Sequence, residues 1–295
     1  MTTSSQKRLV LGAHISGAGH LSYALDRAES IGCTTMQIFS KSNRQWYAKQ
    51  IEQADAQQFI ERSKNSPVRP VAVHASYIIN IGAENPEIEQ KSIAALKEEV
   101  ARCEQLTIPY LVLHPGSAGS QTETQCLERI AKNLSNVLEI SGSTIICLEN
   151  MAGQGTIVGH TFEQLKFIRD SVPQKNRIGF CFDTCHAFAA GYDLRTSETY
   201  QATMQRFDAI LRLDNLKIMH LNDSKKGLGS RVDRHENIGK GLLGLEAFRC
   251  IMNDPRLFDV AKILEIPDDN LPGYAANMAV LKELLTDETK KFLHI

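Results

Sequence analysis

Short apolar runs in this chain repeatedly end in side chains that can bind a divalent cation. His74 closes the run 71–74, His114 the run 110–114 and Glu149 the run 145–149. Asp183 closes 178–183, Glu265 closes 261–265, and His220 sits one residue inside the end of 217–221. Three more donors lie nearby: His186, three residues after Asp183, and the Asp233-Arg234-His235 triplet beyond the seventh run. Four carboxylates brought together would raise one another's pKa unless a cation neutralised them. Imidazole and carboxylate without thiolate suits zinc, with manganese or iron as substitutes. With about four protein ligands or fewer per ion and open positions for water, the nine donors supply two or three ions. The pattern predicts a site holding more than one metal ion.

The donors can meet only if the elements bring them together. Eight apolar runs (9–14, 35–39, 71–74, 110–114, 145–149, 178–183, 217–221 and 261–265) alternate with longer amphipathic stretches. Ile93, Leu96, Val100 and Cys103 recur at helical spacing, as do Leu127, Ile130, Leu134, Val137 and Leu138. Thr122 and Thr161 each precede a glutamine three residues on, the capping-box arrangement, and Asn85-Pro86 reads as an N-cap with proline in the first turn. Residues 195–213 and 273–285 are further helix candidates. Strand then helix, eight times and without a Pro/Ser linker, predicts a (β/α)8 TIM barrel forming a single domain over residues 1–295. The competitor is an open doubly wound sheet, but the first run leads into His14-Ile-Ser-Gly-Ala-Gly rather than GxGxxG. In a parallel barrel all strand C-termini open onto one face, so donors far apart in sequence converge there. His20, His160 and His294 read as ordinary hydrogen-bonded histidines. His14, at the end of the first run, is ambiguous. Residues 1–7 and the tail after Leu285 read as frayed or peripheral.

Composition bounds the rest. The chain of 295 residues is 42% hydrophobic and 23% charged, enough apolar material for a large core. No run approaches the ~18 apolar residues of a membrane helix, and the polar start has no signal-like core. Seven cysteines, an odd number without a CxxC pair, fit a reducing compartment, and a bacterial cytoplasm is expected. Cys181 and Cys185 read as small buried side chains. Lys and Arg number 33 against 34 Asp and Glu, so a nucleic-acid ligand would need a local basic face or a positive metal centre. Arg234, with Lys225, Lys226, Arg231 and Lys240 around it, supplies such a local cluster.

Several segments resemble the endonuclease IV family of apurinic/apyrimidinic endonucleases. They are Gly12-Ala-His-Ile-Ser, Asn43-Arg-Gln-Trp, His74-Ala-Ser-Tyr-Ile-Ile-Asn-Ile-Gly, Leu113-His-Pro-Gly and Leu148-Glu-Asn-Met-Ala-Gly-Gln-Gly. Phe182-Asp-Thr-Cys-His-Ala-Phe-Ala-Ala-Gly-Tyr-Asp, His220-Leu-Asn-Asp-Ser-Lys, Arg231-Val-Asp-Arg-His-Glu-Asn-Ile-Gly-Lys-Gly and Leu264-Glu-Ile-Pro follow in order. The resemblance implies three zinc ions per chain, with manganese as a substitute, and hydrolysis of the phosphodiester 5′ to an abasic site in duplex DNA. The products would be a 3′-hydroxyl and a 5′-deoxyribose-phosphate, with trimming of blocked 3′ ends as a companion activity. By the same resemblance His74, His114 and Glu149 hold one zinc. Glu149 bridges to a second, completed by Asp183, His220 and Glu265. His186, Asp233 and His235 hold the third. Glu149 and Glu265 are the catalytic candidates, the first as the bridge and the second orienting the nucleophile.

Arg44, Tyr77 and Ile78 are implied to enter the duplex at the lesion, where a missing base makes extrusion less costly, and Arg234 to contact phosphate. The chain is expected to act as a monomer on DNA, away from membranes. Three departures from the family pattern stand out. Ile266 replaces a threonine after the last glutamate, Ala75 an acidic residue after His74, and Ile78 a leucine. The first two predict lost outer-sphere contacts. Two rivals remain: a sugar isomerase or epimerase on a similar barrel, needing fewer metals, and a non-catalytic metal- or lesion-binding barrel.

Overall fold

The computed structural model describes residues 8–139 and 142–295; the expectation for residues 1–7 lies outside them. The eight barrel strands are β1 (Leu11–His14), β2 (Thr35–Ile38), β3 (Arg69–His74), β4 (Tyr110–Leu113), β5 (Ile145–Glu149), β6 (Ile178–Asp183), β7 (Leu216–Leu221) and β8 (Ala261–Leu264). They pair in parallel around a closed barrel in which β1 meets β8. The helices are α1 (Tyr23–Ser30), α2 (Gln53–Lys64), α3 (Pro86–Leu106), α4 (Glu123–Val137) and α5 (Phe162–Ser171). They continue with α6 (Thr184–Ala190), α7 (Ser197–Leu211), α8 (Leu245–Asn253), α9 (Leu271–Glu283) and α10 (Asp287–Leu293).

The strand period of two builds the site. Ala72, Val112, Cys147, Cys181, Ile218 and Ile263 pack together as one buried cluster drawn from β3 to β8. The next side chain on the same face of each strand lies two residues on. Those positions are His74, His114, Glu149, Asp183, His220 and Glu265. On β1 and β2 the equivalent steps lead from Gly12 to His14 and from Thr35 to Gln37. A Cβ at Gly12 would come within 1.8 Å of the Thr35 carbonyl oxygen, so this strand pair closes only because that residue is glycine. An apolar layer thus gives way to a polar one at the C-terminal mouth, where this fold carries its chemistry.

Local chemistry sets the helix ends. The Thr122 capping box on α4 forms with both reciprocal bonds, and the Asn85 side chain accepts from the N–H groups of Glu87 and Ile88 at 2.9 and 3.2 Å. At α5 the expected box is half made. Thr161 caps Gln164, but the Gln164 amide oxygen accepts from Gly159 and His160 instead of Thr161, stitching the preceding loop to the helix. The tail beyond Leu285 also departs from expectation. It forms α10, because Thr286 caps it and Leu293 is buried. No helix among the described residues is long and apolar enough to cross a membrane.

Candidate metal centre

All nine sequence-selected donors reach one mouth of the barrel. Their donor atoms fall into groups lying within 4.8 Å of one another. These are His74 with His114 and Glu149; Glu149 with Asp183, His220 and Glu265; and Asp183 with His186 and His235. Asp233 completes the last, its Oδ2 lying 3.3 Å from His186 Nε2 and its Oδ1 3.3 Å from His235 Nε2. Glu149 sits at the junction. Its Oε2 is 3.3 Å from His74 Nε2 and 3.2 Å from His114 Nε2, and its Oε1 is 2.9 Å from His220 Nδ1. Asp183 is likewise shared between two groups. It also caps α6, accepting from the His186 N–H at 2.7 Å, so a helix start fixes both donors.

The chemistry of these donors fits cations. His74, His186 and His235 each place Nδ1 on a main-chain carbonyl, that of Ala75 (2.7 Å), Asn150 (3.0 Å) and Glu265 (2.7 Å). A carbonyl only accepts, so Nδ1 keeps a proton and Nε2 is the nitrogen left to face a cation at the mouth. The Nε2 atoms of His186 and His235 are buried without a hydrogen-bond partner among the described residues. Buried polar atoms are rarely left so, and a shared cation would satisfy both.

Electrostatics agree. Burial opposes charge on Glu149, yet the surrounding imidazoles of His220, His114 and His186 hold its carboxyl well below the usual range. Burial is likewise outweighed at Glu265 by His220, His14 and His74, and at Asp233 by His186 and His235. Burial lowers the pKa of His220, but Glu265 and Glu149 raise it to about 9. The carboxylates therefore recruit protons onto imidazole, and a divalent cation would have to displace them. Burial pushes the Cys185 thiol up to about 12 and Cys181 well above its usual value, so the donor set stays imidazole and carboxylate.

Sequence reasoning missed the residues that hold the candidate donors. Asn150 Oδ1 accepts from the Asp183 N–H (2.8 Å), and its Nδ2 donates to the Asp183 carbonyl (3.1 Å). Asn222 Nδ2 donates to Asp183 Oδ2 (2.6 Å) while its Oδ1 accepts from the Glu265 N–H (2.9 Å). The ambiguous His14 joins the centre, with Nδ1 3.0 Å from Glu265 Oε1. Gln37 is fully buried beside it. By contrast His20 bonds Ser22 and His160 the Ile157 carbonyl, away from the donor groups.

The DNA-contact candidates ring the same mouth. Tyr77 is 51% exposed, its ring 5.1 Å from that of His74 and 5.5 Å from that of His114. Arg44 is exposed and Ile78 half-buried. Exposed Arg234 donates to the Asp233 carbonyl (2.6 Å). A cavity of about 690 Å³ opens beside the centre, lined among others by His14, Ser42, Tyr77, Glu265 and Tyr274. The loops carrying Arg44 and Tyr77 are tied together, since Tyr77 N–H and Ser76 Oγ both donate to the Asn43 carbonyl (3.2 and 2.8 Å). Glu99 on α3 locks the tie from beneath, accepting from Ser40 Oγ (2.7 Å) and the Ser76 N–H (3.3 Å) with Lys41 Nζ 3.9 Å away. Arg102, one turn on, donates to Ser40 Oγ (3.0 Å) and the Lys49 carbonyl (3.0 Å). A signal was present in the sequence: Glu99 and Arg102 fall on the i+3/i+4 stripe that α3 buries.

A family model described as a xylose isomerase-like TIM barrel matches residues 25–284. The probable endonuclease 4 of Chloroflexus aurantiacus is 46% identical over 277 residues, covering 93% of this chain and 97% of the relative. The crystal structure of endonuclease IV from Thermus thermophilus superposes with a TM-score of 0.82 at 34% identity, covering 93% of this chain and 98% of that one. The chain belongs to the endonuclease IV family. A D-tagatose 3-epimerase-like protein also superposes (TM-score 0.71, 19% identity, 96% and 98% covered), which shows the shared fold alone. Two of this sequence's departures from the endonuclease IV pattern sit beside carbonyl bonds that are in place. It is the carbonyl of residue 75, not its side chain, that orients His74, and the buried Ala75 leaves that bond intact. The Ile266 side chain is buried, while the neighbouring Glu265 carbonyl orients His235.

Proposed function

We propose that this chain is a DNA-repair endonuclease, a hydrolase that cuts the phosphodiester 5′ to an abasic site in duplex DNA. The observation that carries the reading is the convergence of nine imidazole and carboxylate groups, two of whose buried nitrogens lack a hydrogen-bond partner, beneath a rim bearing Arg44 and Tyr77. His74, His114 and Glu149 would hold one zinc; Glu149, Asp183, His220 and Glu265 a second; His186, Asp233 and His235 a third, with Asp183 near enough to assist. Manganese is a substitute. When bound, zinc neutralises charge on the phosphate and lowers the pKa of the attacking water.

The protein's own groups supply the rest. Glu149 keeps its two oxygens committed to different imidazoles and so fixes how the donor groups are spaced. Glu265 belongs to one donor group and also lines the cavity, where it can orient the attacking water. Tyr77 and Ile78 would fill the space left by the missing base, Arg44 would stack against the flanking bases, and Arg234 would hold phosphate. The products are a 3′-hydroxyl and a 5′-deoxyribose-phosphate. The same centre would trim blocked 3′ ends, with the chain acting as a monomer in the bacterial cytoplasm.

The test is nicking of a duplex carrying one tetrahydrofuran residue, alongside metal analysis of the same protein. Cleavage should vanish on chelation and return with zinc. Glu149→Gln or Glu265→Gln should lose at least about a hundredfold in rate while the barrel still melts cooperatively. Near-wild-type nicking by metal-verified variants, or one ion per chain with activity on a small sugar, would overturn the reading.

A further inference from the structure

Four histidines of the centre have a proton position fixed by their partners, and one differs from the others. His74, His186 and His235 each commit Nδ1 to a main-chain carbonyl. His220 turns the other way, with Nε2 3.1 Å from the Oε1 of Gln37 and Nδ1 among the carboxylates of Glu149 (2.9 Å) and Glu265 (3.1 Å). The orientation of the Gln37 amide is itself determined. Its Nε2 lies 2.7 Å from Glu265 Oε1, an atom that at neutral pH only accepts, so the NH2 group must face Glu265 and the oxygen must face His220. An amide oxygen in turn accepts only, so His220 keeps a proton on Nε2, and Nδ1, among the carboxylates, is the nitrogen left for a cation to take.

We propose that Gln37 is a positioning residue that selects Nδ1 as the nitrogen His220 presents to a cation, and that it holds Glu265 in place with the same amide. This rests on the metal-centre reading above. The placement is economical: Gln37 is completely buried on β2, and one planar group reads a histidine from β7 and a carboxylate at the end of β8. A main-chain carbonyl performs this task for the other three rings, so among these four a side-chain substitution can change the proton position of His220 without moving the backbone. His14 Nδ1, 3.0 Å from the same Glu265 oxygen, supports the carboxylate but touches neither nitrogen of His220.

The experiment uses the full chain with 15N-labelled imidazoles, loaded with zinc, as wild type, Gln37→Met and Gln37→Glu. In wild type one zinc-bound ring should show Nε2–H with Nδ1 bound, distinct from rings bound through Nε2. Gln37→Met keeps the volume and removes the amide. It should lose that signature and hold one zinc about 10- to 100-fold more weakly in competition with a chelator. Gln37→Glu still offers His220 an acceptor and should retain the signature. If Gln37→Met folds too poorly to load, the wild-type and Gln37→Glu spectra still decide. Wild-type zinc bound with His220 protonated on Nδ1 overturns the Gln37 assignment alone. Unchanged zinc affinity and ring pattern in Gln37→Met also overturns it alone. Wild-type protein that binds no zinc overturns the underlying metal-centre reading as well, so the two failures are distinguishable.

Discussion

Glu99→Ala separates the rim from the metal centre. Glu99 is 1% exposed and accepts from Ser40 on the loop after β2 and from Ser76 on the loop after β3. It also faces Lys41, whose ammonium is itself buried and 3.9 Å away. Burial raises the Glu99 pKa above the ordinary carboxylate value, with Ser40 and Lys41 opposing, so the group gives up much hydration to stand there. Truncation leaves Lys41 with the Trp46 carbonyl (2.8 Å) and, as its remaining carboxylate, the half-buried Glu98 (3.8 Å), and it strands the Ser76 N–H and Ser40 hydroxyl. Removing one partner of a buried pair costs about 3–5 kcal/mol. For a chain of this size each kcal/mol lowers Tm by roughly 2–4 °C, so the melt should fall by about 10 °C. None of the nine donors bonds to Glu99, and the His74 ring is oriented by the Ala75 carbonyl, so zinc content should hold. The loops bearing Arg44 and Tyr77 should loosen, raising KM for abasic duplex about tenfold, with kcat changing less. The assays are calorimetry, metal analysis and steady-state nicking. An unchanged melt and KM, or loss of zinc with KM intact, would refute the idea that Glu99 serves the rim.

Other consequences are simpler to state. Tyr77→Ala should weaken binding of abasic duplex roughly 5- to 100-fold, the equivalent of losing one aromatic stacking partner, at unchanged zinc content; fluorescence anisotropy and metal analysis check it. Arg234→Ala should reduce the slope of log K against log salt by about 0.9, one phosphate contact, measured by titrations at several salt concentrations. Lys262 is buried, donating to the carbonyls of Leu257 and Val260, and burial lowers its pKa to about 8. Its folded value lies below the unfolded one, so between about pH 8 and 10.5 the unfolded chain binds more protons and this residue makes stability rise with pH. The gain is about 3 kcal/mol over that window at 1.36 kcal/mol per pH unit. Denaturant unfolding should show wild type gaining relative to Lys262→Met across the window, and parallel pH profiles would contradict it.

What could be read from the chain follows a physical division. Six of the nine candidate donors were legible because a strand has a period of two and a barrel opens at one end. A polar side chain two positions beyond an apolar one must then lie at the mouth, and six strands repeat that step. A composition rule could pick out His and carboxylate because burying them together has no inexpensive explanation other than a cation. The supports were not legible by that rule. Gln37, Asn150 and Asn222 are uncharged and common, and their roles depend on which oxygen or N–H stands within about 3 Å, information carried by register rather than residue type. Thr161-x-x-Gln164 has the capping spacing and still lacks the reciprocal bond, because the glutamine found two better-placed donors in Gly159 and His160. Glu99 and Arg102 occupy a middle ground. Their helical positions face inward, but only the two rim loops folding over α3 supply the hydroxyls and carbonyls that make buried charges tolerable. Residues that confront a cation are therefore chosen by charge and can be found by type. Residues that orient them are chosen by geometry, and their chemistry becomes visible only once the barrel has closed.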